Sequence, residues 1–190
     1  MAINLFVSET VGSTFKVCSD VVHFETEERL QFVDLTELVR ERVRRSGVAY
    51  GLVNVHTKHT TTALVVNENE PLLLMDFKDL VEKWAPRDAT YRHNDLQARE
   101  FQVPPGERPN GHAHARALLL GMAVSLNITE GAIHLGEFQK IFLVELDGTR
   151  RRSVSILVLG LTAEPDENRG RLVAYKRHAV EAKEIISPAD

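Results

Sequence analysis

The chain has 190 residues, 43% hydrophobic and 26% charged, with a formal net charge of -4. These figures exclude a disordered polymer, and the acidic balance lacks the basic surface that nonspecific nucleic-acid binding requires. The one cysteine, Cys18, cannot close an internal disulfide, and no apolar run approaches the roughly 18–20 residues of a membrane helix.

The first twenty residues are weakly patterned and are expected to form an arm. Val21–Phe24 and Gln31–Val33 read as short strands joined by the acidic turn 25–28. Asp34 or Thr36 can cap a helix through Ser46, since Leu35, Leu38, Val39 and Val43 recur at helical spacing and Gly47 suits a left-handed stop. Val48–Val55 reads as a buried strand and His59–Val66 as a second one. Pro71 opens a helix expected to bury Leu73, Phe77, Leu80, Val81 and Trp84, because a first-turn proline sacrifices no helical hydrogen bond.

Residues 85–110 carry Pro86, Pro104, Pro105 and Pro109, and so long a connection is expected to be a lid, a binding loop or a disordered segment. A short helix over 112–120 ends at Gly121. Strands follow at Ala123–Ile128, Ala132–Leu135, Gln139–Leu146 and Arg151–Leu159, with Asp147-Gly148 as a hairpin turn. A polar linker (162–170) and an amphipathic helix (172–186) complete the expected elements. Helices and strands mix without regular βαβ alternation, so the class is α+β.

Five of the eight histidines lie in three polar phrases, HTKHTTTALVVNENE (His56, His59), YRHND (His93) and NGHAHAR (His112, His114). Imidazole can ligate a metal or exchange protons near neutrality, so one shared site is expected. In an unbroken strand His59, Thr61, Ala63, Val65 and Asn67 share a face, with Glu68 and Glu70 just beyond. An edge strand with an incidental histidine is the plain alternative. His93 stands beside Asp95 as a ligand or a turn residue. His112 and His114 open a helix whose N-terminus favours anions. Glu145, on a largely apolar strand face, needs a partner or solvent, as a metal ligand, a general base, or half of a salt bridge with one of Arg150, Arg151 and Arg152. No strict metal-binding spacing occurs.

These phrases, with SGVAYGLVNV, TEGAIHLGEFQKIFLVEL and RRRSVSILV, resemble the YjbQ family, often called secondary thiamine-phosphate synthase, over residues 21–160. The resemblance implies a mixed, largely antiparallel sheet closing toward a barrel or sandwich, with a few packed helices, and a homotrimer. It matches His59, Asn67, Glu68, His93, His114 and Glu145 to the family's recurring polar residues. It also implies an activity of some members, joining a pyrimidine diphosphate to a thiazole phosphate. The pattern departs at Gly136-Glu137-Phe138-Gln139, where the family carries Gly-Thr-Trp-Gln, at Lys140, where it carries glycine, and at Arg116, where it carries lysine. His112 and the segment after Leu161 are additions.

Three regions are therefore expected: an arm (1–20), a YjbQ-like domain (21–160) and a partly helical extension (161–190). The leading expectation is a cytoplasmic enzyme acting on phosphorylated small molecules, without nucleic-acid or membrane partners. His59, His93 and His114 would hold a divalent metal (zinc or magnesium) or move protons. Glu145, Glu68 and Asn67 would serve the reaction. Arg116, Gln139 and Thr60 would hold substrate or phosphate. The rivals are a metal-assisted phosphoester hydrolase and a non-catalytic trimeric protein that binds a metabolite or anion.

Overall fold

A computed structural model describes residues 13–99 and 103–163, together with the backbone of 3–4 and 179–180. The strands in chain order are β1 (Ile3–Asn4), β2 (Phe15–Glu25), β3 (Phe32–Asp34), β4 (Val48–Thr57), β5 (Thr62–Glu68), β6 (Ala123–Thr129), β7 (Ala132–Ile133), β8 (Gln139–Glu145), β9 (Arg151–Thr162) and β10 (Ala179–Val180). The helices are α1 (Thr36–Ser46), α2 (Pro71–Trp84) and α3 (Gly111–Leu120), with a 3-10 turn at Arg92–Asn94.

The chain forms two compact units. In the smaller, β1 pairs antiparallel with β10. The helix expected over 172–186 meets this finding at Ala179–Val180, which are extended; its other residues, and most of the linker before it, lie outside those described.

The larger unit runs from Phe15 to Ala163. Its first strand starts at Phe15, six residues before the predicted Val21, because β2 pairs with β9 along its whole length from Phe15↔Leu161 to Glu25↔Arg151. A five-stranded sheet has the order β2-β9-β4-β6-β7 and a three-stranded sheet the order β3-β8-β5. Every pairing is antiparallel, and the sheets curve into a half-barrel. The class is α+β, as the sequence indicates.

Two cores explain the layering. Leu35, just before α1, and Val39 and Val43 of α1 pack with Val53, Val55, Ile156 and Val158 of the large sheet and with Leu64, Ile141 and Leu143 of the small one. On the other face of the small sheet, Ala63, Phe142 and Val144 meet Val81 of α2 and Ala113 and Ala117 of α3. The small sheet is therefore covered on both sides, which is why β8 is apolar at consecutive positions. Each fully buried Val, Leu or Ile contributes on the order of 1.5–3 kcal/mol.

Local chemistry sets the helix ends. Asp34 accepts the Thr36 N–H at the start of α1, and Gly47 ends it at φ 72°. Glu70 caps α2 by accepting from the amides of Leu72 and Leu73. Within α2 only Val81 is fully buried. Leu80 and Trp84, predicted to be core, are 40% and 51% exposed and flank an open apolar cleft with Phe32 and Phe77. Periodicity locates the apolar stripe but not how much of it a neighbour covers.

Three connections, β2 to β3, β4 to β5 and β8 to β9, each pass from one sheet to the other, and all lie at the same end. Asp147-Gly148 is consequently not a hairpin turn. Its strands belong to different sheets, neither residue has positive φ, and both amides donate to the Glu145 carboxylate. The crossing end is where the polar phrases meet.

Candidate functional site

Glu145 is the anchor. It is fully buried, with Arg152 Nε and Nη2 each 2.6 Å from its oxygens, and it accepts from Thr26 Oγ1 and from the amides of Asp147 and Gly148. Burial acts to raise its pKa, but the Arg152 hydrogen bonds and the two amides outweigh that and hold the carboxyl below its ordinary value. With both oxygens committed, Glu145 is a clamp tying β8 to β9 and not the free base expected from the sequence. The salt-bridge reading of this residue is the one observed.

His59 lies in the turn between β4 and β5, before the strand begins at Thr62, so strand alternation does not govern it. Its Nε2 accepts the backbone N–H of Ser153 at 2.8 Å and lies 3.0 Å from Ser153 Oγ. Burial, followed by the Arg152 charge, lowers its pKa.

The long loop brings His93 to His114. Asn94 Oδ1 accepts the Gly111 N–H at the start of α3, docking the 3-10 turn there. Gly111 permits this approach, since a Cβ would stand 2.5 Å from Tyr91 Cβ. The His93 and His114 rings meet edge-on at 4.6 Å between centroids. Burial, followed by His93, lowers the His114 pKa, so its imidazole is neutral near pH 7.

One hollow of about 350 Å³ joins these groups. Its walls include Lys58, His59, Thr60, His93, Arg99, Glu107, His114 and Arg150. Arg152 is matched by Glu145, and Arg150 by Asp147 at 2.9 Å. Lys58 and Arg99 have no ion pair among the described residues, and of the lining residues only Glu107 is acidic, so the hollow carries excess positive charge. Sequence reasoning missed Lys58, Arg99 and Ser153. Only the lysine beside His59 offered a signal, and a lone surface cation is seldom informative.

Four predicted residues are elsewhere. Asn67, Glu68 and Gln139 occupy the opposite end of the β5–β8 ladder, where Glu68 pairs with Gln139, while Thr62 pairs with Glu145 at the hollow's end. A rise of roughly 3.3 Å per residue puts about 20 Å between the two ends. Arg116 is fully buried, pairs with Glu82 and donates from Nε to the Ala85 carbonyl; its guanidinium joins α3 to α2 and is closed to phosphate. Position 116 lies on the inner face of α3, two residues past His114, which is why nearness in sequence misled.

The three expected metal ligands share a hollow but not a coordination sphere. Among the described residues no three His, Cys, Asp or Glu side chains lie close enough together to hold a cation, and His59 spends Nε2 on an amide.

Comparison with known proteins identifies the family and the fold. The profile of a family described as "UPF0047 protein YjbQ-like" matches residues 20–161. The chain belongs to the YjbQ/UPF0047 family. A UPF0047 protein of Methanothermobacter thermautotrophicus is 34% identical over 149 residues, 78% of this chain and 96% of that protein. A second, from Archaeoglobus fulgidus, is 37% identical over 135 residues, covering 71% and 96%. Among solved structures, a YbjQ-like protein of unknown function from Sulfolobus solfataricus superposes with TM-score 0.70 at 31% identity, covering 77% of this chain and 99% of that one. A YjbQ/UPF0047 protein from Clostridium acetobutylicum superposes with TM-score 0.64 at 31% identity, covering 73% and 98%. The shared region is the half-barrel carrying the hollow. Phe138, at one departure from the family pattern, is 62% exposed, and Glu137 beside it is also exposed. No helix among the described residues is long and apolar enough to cross a membrane.

Proposed function

We propose that the hollow of this YjbQ-family protein binds a phosphorylated small molecule and supports its reaction as a transferase of the thiamine-phosphate synthase type. The carrying observation is the meeting of His59, His93 and His114 around one space with Lys58 and Arg99, neither of which is ion-paired among the described residues. Charge-assisted N–H donors are what a phosphate or diphosphate needs.

In joining a pyrimidine diphosphate to a thiazole phosphate, the bond from the pyrimidine methylene to a diphosphate oxygen breaks. A bond from that carbon to the thiazole nitrogen forms, and diphosphate leaves with the electron pair. The attacking nitrogen carries no proton, so the step requires no general base. This suits a site whose buried carboxylate, Glu145, is already committed to Arg152. The main demand is stabilising the charge that grows on the leaving diphosphate, and donors fixed around the hollow act on it directly. Thr60 lies on the same wall and can add a hydroxyl.

A divalent zinc or magnesium ion, if bound, would draw on His93 and His114 and would supply further charge neutralisation. A homotrimer is proposed with this reading on the family resemblance.

The test is calorimetric titration with inorganic diphosphate, followed by product analysis after incubation with both reactants. Lys58→Ala and Arg99→Ala should each weaken diphosphate binding by about tenfold. Undiminished binding in both variants overturns the reading. Phosphate release without a thiazole acceptor identifies hydrolysis instead. Metal analysis of His93→Ala and His114→Ala, and light scattering for the trimer, test the remaining parts.

A further inference from the structure

His59 is held in an unusual way for a residue at the rim of a site. In the ladder between β4 and β9, Thr57 is the last paired residue of β4, opposite Val154. One step further, Lys58 N–H still donates to the Ser153 carbonyl at 3.1 Å. In an antiparallel strand a residue's N–H and C=O point to the same side. Ser153 N–H therefore also points toward β4, at the point where β4 has turned away. The side chain of His59 fills the gap, and its Nε2 takes the place of the missing carbonyl at 2.8 Å.

An amide N–H only donates, so the nitrogen it meets must present a lone pair. With Nε2 as acceptor, the proton of neutral His59 resides on Nδ1. That atom has no hydrogen-bond partner among the described groups, and the ring lines the hollow. The plain alternative is a ladder cap and nothing more. Two observations go beyond it: the ring borders the cation-rich space instead of being sealed in the core, and the bond leaves one N–H of known identity unspent.

We infer that His59 is a fixed hydrogen-bond donor, its Nδ1–H presented to an anionic oxygen of the ligand, and that the Ser153 backbone amide is the positioning group that sets this tautomer. The inference deepens the proposed function and rests on the hollow being a phosphate site. It removes His59 from the roles of metal ligand and proton acceptor through Nε2, and leaves those roles to the His93–His114 pair. The Ser153 hydroxyl is dispensable, because the backbone amide alone dictates the tautomer.

Long-range proton–nitrogen correlation spectra of the full chain at pH 8 test this, with the His59 signals assigned by their loss in His59→Leu. The expected spectrum shows a protonated Nδ1 and a bare Nε2 for His59, unchanged in Ser153→Ala, with Nδ1 shifting when inorganic phosphate is added. His59→Asn, which places an amide N–H near the position of Nδ1, should keep phosphate affinity, while His59→Leu should lower it by about tenfold. A proton on Nε2 in the free protein overturns the inference outright. A correct tautomer that ignores phosphate, while backbone signals at Lys58 and Arg99 respond, overturns the donor role and spares the hollow. Silence at all of these groups overturns the phosphate-site reading itself, and with it the donor role.

Discussion

Replacing Arg152 with methionine exposes how strongly the crossing end depends on one buried ion pair. Arg152 is 3% exposed and Glu145 is sealed from solvent, so water cannot replace the lost guanidinium. Three neutral donors remain on the carboxylate: the Thr26 hydroxyl and the amides of Asp147 and Gly148. Breaking a buried pair by removing one partner costs about 3–5 kcal/mol. For a chain of this size that corresponds to a fall in Tm of about 6–20 °C. The loss should shrink as pH is lowered. Without Arg152, burial is opposed only by those neutral donors, so the Glu145 pKa rises above its value in the parent and protonation in acid costs the variant less stability than it costs the parent. The double variant Glu145→Gln, Arg152→Met should lose less than the sum of the two single changes, because no uncompensated charge remains. Thermal or urea unfolding at pH 8 and pH 5 measures all of this. An Arg152→Met variant within about 1 kcal/mol of the parent, or a double variant showing simple additivity, would refute the clamp.

Arg116→Met should lower stability by about 1–3 kcal/mol through the stranded Ala85 carbonyl, while calorimetry shows unchanged diphosphate affinity. Reduced affinity without lost stability would restore the phosphate-binding role. His59, His112 and His114 all have lowered pKa values, with burial as the leading cause, so each stays neutral in the fold where the unfolded chain takes up a proton. Stability is thus complete above about pH 6.5 and falls in more acid solution, by up to about 1.4 kcal/mol per pH unit for each histidine. A flat Tm between pH 7.5 and 5 contradicts this. Gly51→Ala should cost about 3 kcal/mol, since a Cβ there would lie 2.1 Å from the Leu159 carbonyl oxygen and drive β4 from β9. Native-like unfolding of that variant would show the two strands to be further apart than described.

Periodicity, capping residues and turn residues act within a few positions of one another, and the helices and most strands were legible on that basis. Asp34, Gly47 and Pro71 mark helix ends through groups adjacent in the chain. Grouping His59, His93 and His114 was likewise a sound inference, because polar phrases beside apolar strands have few places to go but a strand end. Which end each residue occupies depends on pairings between distant segments. Asn67 and Glu68 follow His59 closely, yet an extended strand carries them about 20 Å away. Arg116 looked like a ligand-binding cation until packing turned it toward Glu82. Asp147-Gly148 has hairpin composition, but no local signal shows that its two strands join different sheets. The Ser153 amide is the plainest case: every residue but proline has one, and only the fold leaves this one facing an imidazole.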